Sequence, residues 1–193
     1  LSSMEQPLGR AVGNALEVGE ALATLRGEGP EDLREICLAM AAELQLMAGL
    51  ATDREHAREK AVQAIGSGAA LRKLGEMIQA QGGRGEVIDR PELLPTAKAT
   101  TLVLSRASGY LARIDTSGLG RVAMRLGAGR ATKEERIDPA AGLVFLVRLG
   151  DWVDQGTPLA ELHTNRLAEI EPAQQDLRSC LGFSAQPDRK SVV

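Results

Sequence analysis

Pro91-Glu92-Leu93-Leu94-Pro95 is where the pattern of this chain changes. Before it, apolar residues recur at the three-and-four spacing of a helix with one buried face. Beyond it, short apolar runs are broken by glycine, as in strands joined by tight turns. The stretch reads as a linker. It predicts an α+β chain with a helical part over residues 1–92, a β-rich part over 93–172 and a polar tail over 173–193.

Working back from the linker, four helices are expected. Ala15, Val18, Leu22 and Leu25 share a face after Gly13-Asn14, and Gly27-Glu28-Gly29-Pro30 stops that helix. Pro30 suits the first turn of the next helix. Glu31 and Asp32 stand at its N-terminus, where the helix dipole favours acids. Its stripe of Leu33, Ile36, Cys37, Met40, Leu44 and Met47 predicts a broad buried face, with Cys37 a buried thiol. Thr52-Asp53-Arg54-Glu55 reads as a capping box opening a third helix through Ala57, Ala61 and Ile65. Ser67 or Gly68 opens a fourth, with Leu71, Leu74 and Ile78 inward, and Gln81-Gly82-Gly83 ends it.

Working forward, residues 100–104 and 110–114 read as strands. Residues 121–126 read as a strand or a short helix, the periodicity fitting both. Residues 143–147 form a continuous apolar run, a buried strand, and 159–163 another strand. From about Gln174 the chain is polar, as mobile tails are.

Composition narrows the function class. The 193 residues suit one or two domains, and the 44% apolar content supplies a core. Aromatic residues are only 2%, so Leu, Ala, Val and Ile must fill that core. A net charge of −3 argues against nucleic acid or an anionic membrane as partner. The two cysteines, Cys37 and Cys180, match no metal or redox spacing. No run of eighteen apolar residues and no signal peptide is present, so a cytoplasmic protein is expected.

Several motifs have the residue types for chemistry. Gly9 and Gly13 precede a helix, where backbone N–H groups can approach an anion; close packing or a tight turn explains them equally well. Gly150-Asp151-Trp152-Val153-Asp154-Gln155-Gly156-Thr157-Pro158-Leu159 resembles the hairpin of biotinyl and lipoyl carrier domains. Carriers attach the cofactor to a lysine at a hairpin tip. Lys98, Lys133 and Lys190, the only lysines of the second half, lack the usual methionine neighbour, so no covalent cofactor is expected. The run from Gly127 to Asp138, with Arg130, Lys133 and Arg136, suits an anion-binding loop, a lid, or a solvated turn. His56 and His163 are isolated from any nucleophile or metal-ligand pattern.

The segment Met4-Glu5-Gln6-Pro7-Leu8-Gly9-Arg10-Ala11-Val12-Gly13-Asn14-Ala15-Leu16-Glu17-Val18 resembles the middle of the thymidine and pyrimidine-nucleoside phosphorylases. The likeness continues in order through Gly27-Glu28-Gly29-Pro30-Glu31-Asp32-Leu33, Ala80-Gln81-Gly82-Gly83, Leu94-Pro95, Leu126-Gly127-Ala128-Gly129-Arg130, Ile137-Asp138 and Gly150-Asp151. The resemblance implies the C-terminal portion of such an enzyme. The helices would then form a layer of its α/β domain, and the strands its β-rich C-terminal domain. These enzymes cleave thymidine or uridine with phosphate, giving free base and deoxyribose or ribose 1-phosphate. The family's glycine-rich phosphate loop, its catalytic histidine and its base-holding arginine, serine and lysine match nothing here.

The resemblance therefore implies no catalytic residue in this chain and no activity of the chain alone. It implies Met4 at the edge of the base pocket, and a closure loop carrying Gly127, Gly129, Arg130 and Lys133. A monovalent or divalent cation would sit near the second helix, with Glu55 as ligand and backbone oxygens at Glu43 and Leu46. Phosphate is the expected co-substrate. The expected partners are a pyrimidine nucleoside, the N-terminal half of the enzyme and a second copy in a homodimer. The competing expectation is a non-catalytic structural or interaction module of the same fold.

Overall fold

The computed structural model describes residues 3–130 and 132–187. Ala131 and Lys190 therefore lie outside the described residues, as does the end of the expected tail. The fold is α+β. It divides into two compact units, Val18–Leu94 and a second made of Leu1–Glu17 with Pro95–Val193. The later division falls beside the linker. Residues 3–17 belong with the strands rather than with the helices that follow them.

The helical unit holds the end of α1 (Asn14–Arg26), α2 (Glu31–Met47), α3 (Arg54–Gly66) and α4 (Ala69–Ala80), then 3₁₀ turns at Gly85–Ile88 and Pro91–Leu93. The α3 cap differs from the expected capping box by one residue. Asp53 is the N-cap, its Oδ1 accepting the His56 N–H at 2.9 Å, while Thr52 Oγ1 donates to Asp53 Oδ2. The His56 N–H holds the Asp53 carboxyl below the usual aspartate range. Gly68, at φ 70°, precedes α4.

The core of this unit is thin. Leu22, Leu38, Ala42, Ala57, Ala61 and Val87 are buried, and Gln45 Nε2 donates to Ala57 O to tie α2 to α3. The expected broad face of α2 is only partly covered: Met40, Leu44 and Met47 are 61%, 63% and 84% exposed. Cys37 is exposed too, so it is not the buried thiol its place on the stripe suggested. The inward side of α2 runs through Leu38 and Ala42, turned away from that stripe.

The second unit contains two antiparallel sheets. β1 (Ala11–Val12), β4 (Gly142–Phe145), β6 (Pro158–Thr164) and β2 (Ala99–Leu104) form one, in the order β1-β4-β6-β2. β5 (Trp152–Val153), β3 (Gly109–Ile114) and β7 (Leu181–Ser184) form the other, in the order β5-β3-β7. Both sheets and the helices α5 (Thr116–Leu126) and α6 (Ile170–Ser179) contribute to one core, which includes Leu111, Leu119, Leu126, Leu143, Phe145, Leu162 and Leu177. Residues 121–126 are thus helical. Asp115 caps α5 by accepting the Gly118 N–H at 2.9 Å, and that bond lowers the Asp115 pKa.

Two expectations are corrected here. The polar stretch from residue 173 is not a loose tail as far as Ser184, because α6 and β7 are built from it and Ala173 and Leu177 are buried. Its exposed residues lie between inward ones at helical spacing, which lowers its apparent hydrophobicity. Gly150–Leu159 does not form a paired hairpin either. β5 pairs with β3 and β6 with β2 and β4, so the chain crosses between sheets through a turn in which Thr157 N–H donates to Asp154 O. The N-terminal segment is fastened to this unit. Arg148 Nη1 donates to Pro7 O and Gly9 O, Leu149 N–H to Gln6 Oε1, and Phe145 N–H to Arg10 O.

α6 lies along β2. Gln174 Nε2 donates to Leu102 O at 3.1 Å and Arg178 Nε to Leu104 O at 3.0 Å. No helix among the described residues is long and apolar enough to cross a membrane.

Candidate functional site

Gly13, just before α1, is used for close approach. Gly13, at φ 144°, brings its backbone against Ala141 and Gly142 of the neighbouring strand region. The N–H groups that an anion would need are taken. Gly13 N–H donates to Glu17 Oε1 at 2.8 Å, and Ala15 N–H to Pro139 O at 3.0 Å. The start of α1 therefore closes on its own carboxylate and carbonyls.

The loop from Gly127 to Asp138 has a fixed neck and an exposed tip. Gly127, at φ 117°, terminates α5; its N–H donates to Met124 O and the Ala128 N–H to Ala123 O. Asp138 N–H donates back to Gly127 O at 2.9 Å, closing the loop at its base. Asp138 is held in turn by Asn165 Nδ2 and by the Ala140 N–H. The buried Thr164 hydroxyl donates to Leu126 O at 2.7 Å, fixing the helix end to β6. Gly127 is thus a helix cap: its left-handed backbone suits glycine, and a methyl there would meet Asp138 and Ala141 at 3.3–3.4 Å. Arg130, Lys133 and Arg136 are exposed beyond this neck.

Beside the loop lies a cavity of about 580 Å³, lined by Arg121, Arg125, Glu135, Arg166, Glu169 and Asp176 among others. Arg125 organises it, reaching Glu169 at 2.8 Å and Asp176 at 2.9 Å. The Glu169 carboxylate first, then Asp176, raises the Arg125 pKa. This network was not anticipated. Of the two acids on Arg125, Asp176 comes from the stretch that reads as a tail and Glu169 from just before it, and only the (i, i+4) contrast of Ala173 and Leu177 with their charged neighbours signals a helix there.

Met4 is 82% exposed, and its carbonyl accepts the Thr116 hydroxyl at 3.3 Å. The expected cation ligands lie at the end of α2 and the start of α3. The Glu43 carboxylate pairs with Arg54 Nε at 2.6 Å, the Leu46 carbonyl accepts the Gly49 N–H, and Glu55 is exposed. Among the described residues, no group of three or more His, Cys, Asp and Glu is placed to hold a metal ion. His56 is a partner of Thr52, and His163 Nε2 lies 2.8 Å from Glu161 Oε1 on one sheet face, outside hydrogen-bond alignment. Cys180 is buried against Asp115 and α5, and burial raises its thiol pKa.

A family model described as the pyrimidine nucleoside phosphorylase C-terminal domain matches residues 110–184. That span runs from β3 to β7 and includes α5, the loop and α6. A pyrimidine-nucleoside phosphorylase of Staphylococcus aureus (strain USA300) is 45% identical over 166 residues, 86% of this chain and 38% of that protein. One of Geobacillus stearothermophilus is 42% identical over 187 residues, 97% of this chain and 43% of that protein. The chain belongs to the pyrimidine-nucleoside phosphorylase family, as a C-terminal portion.

It spans about two fifths of the length of the curated relatives it matches. The likeness to the phosphorylases is carried on both sides of the linker, because a match over 97% of the chain includes the helical unit as well as the domain of the family model.

Proposed function

We propose that this chain acts within a pyrimidine-nucleoside phosphorylase that converts thymidine or uridine and phosphate to free base and (deoxy)ribose 1-phosphate. The observation that carries this reading is 45% identity sustained over 86% of the chain. In the reaction the sugar C1–N bond breaks as a phosphate oxygen bonds to C1, and the departing base takes a proton. Such a step depends on holding two substrates together and stabilising charge. This chain supplies the frame and a closing element. The groups that touch phosphate and base are expected from the N-terminal portion of the enzyme, and the chain alone is expected to be inactive.

The closing element is the tip beyond the Gly127–Asp138 neck. In this reading Arg130 and Lys133, exposed at the tip, bond across a cleft when substrates bind, while Gly127 and Gly129 shape the base of the loop. Met4 edges the base pocket. A cation near α2 would use Glu55 and the carbonyls of Glu43 and Leu46, with Arg54 keeping the Glu43 carboxylate occupied. The sheet-crossing turn at Gly150–Leu159, which resembles the carrier motif, is architectural, since neither Lys98 nor Lys133 lies in it. A cytoplasmic homodimer is the expected form of the complete enzyme. The second reading, a non-catalytic module, draws support from the self-contained core of the later unit.

Assay separates these readings. The purified chain should release no base from thymidine or uridine with phosphate. Joined to the N-terminal portion of a relative it should do so, and Arg130→Ala with Lys133→Ala should lower kcat without lowering the melting temperature. Phosphorolysis by the chain alone would overturn the expected inactivity of the chain, and none by the joined protein when it is folded would reject the enzyme reading.

A further inference from the structure

A groove between the end of β2 and α6 has no part in the phosphorylase reading. Its volume is about 600 Å³, within the range of small-molecule sites. Arg106, Gln175 and Arg178 line it, with Leu159, Leu181 and Phe183 as an apolar wall. Two arginines are among its lining residues, and no Asp or Glu is.

Arg178 is held in place, because its Nε–H donates to Leu104 O at 3.0 Å. That bond uses one of the five N–H donors of a guanidinium. Arg106 is exposed in the bend after β2 and has no ion pair or side-chain hydrogen bond among the described residues. Burial first, and then the Arg106 charge, push the Arg178 pKa down, and no acid offsets them. Elsewhere Arg54, Arg58, Arg121 and Arg125 each hold a carboxylate. Here two cations line one groove, close enough for the charge of Arg106 to act on Arg178, in a chain of net charge −3.

We propose that this groove binds a phosphomonoester with an apolar organic group. The two guanidinium forks match the geometry of phosphate oxygens. Their combined charge matches the −1.5 to −2 that a phosphomonoester carries near neutral pH. Leu159, Leu181 and Phe183 take the organic group.

The inference stands apart from phosphorolysis, and its failure would leave the enzyme reading untouched. The test titrates the whole chain with phenyl phosphate, inorganic phosphate and benzyl alcohol, following backbone amide shifts. Phenyl phosphate should bind with shifts centred on Arg106, Arg178 and Phe183, at least tenfold tighter than either other probe. Arg106→Gln should weaken it at least tenfold with an unchanged melting temperature, since Arg106 supports no other group. The proposal is overturned if phenyl phosphate fails to bind, if Arg106→Gln binds it equally well, or if inorganic phosphate binds as tightly.

Discussion

A methyl group added at Gly13 would stand 2.5 Å from the Ala141 carbonyl oxygen and 2.8 Å from Gly142 Cα. The φ of 144° adds backbone strain to that overlap. Gly13→Ala should therefore destabilise the second unit by on the order of 3 kcal/mol, the upper end for a forced backbone conformation. Urea denaturation of the two proteins measures it. Loss of under about 0.5 kcal/mol, the level of an ordinary surface change, would mean that β1 does not approach β4 as described. Gly129 makes the contrast. A methyl there would press only on the flexible Met124 side chain, at 3.2–3.3 Å, so Gly129→Ala should cost less. For Gly13 the sequence left open whether it serves an anion, a turn or packing. The answer depends on Ala141 and Gly142, more than a hundred residues away, which no local pattern reports.

α6, Ile170–Ser179, buries two residues in a stretch that is otherwise largely polar. Leu177 is fully buried, in a stretch whose composition suggests solvent. Leu177→Ala should destabilise the protein by about 2–5 kcal/mol, the cost of emptying a buried leucine site. A chemical-denaturation midpoint that does not move would restore the reading of this segment as a tail. Helices α1 to α4 were legible because their apolar spacing runs for three turns or more between glycine and proline stops. The strands Ala99–Leu104 and Gly109–Ile114 were legible from short apolar runs broken by glycine. α6 was not, because it is short and turns only Ala173 and Leu177 fully inward. The crossing at Gly150–Leu159 was misread for a related reason. Two turns and two strands look alike in sequence whether the strands pair with each other or with different neighbours.

The whole molecule joins two units with very different interiors. The second buries Phe145 and a run of leucines, each worth roughly 1.5–3 kcal/mol. The helical unit buries few large side chains and leaves the Met40, Leu44 and Met47 stripe open. Limited proteolysis should cut first within residues 31–80 and leave a resistant piece covering roughly residues 95–184. Equal protection of both units would show that the helices are stable by themselves. The candidate site was legible at this scale only as a family likeness, because cavities such as that around Arg125 gather residues from α5, the loop and α6. The bonds from Gln174 and Arg178 to the Leu102 and Leu104 carbonyls have one more consequence. A strand with open carbonyls is a template on which another polypeptide can zip into place, the first step of aggregation. By laying a polar helix over that margin, the chain closes it to recruitment. That protection rests on two side chains of α6, Gln174 and Arg178.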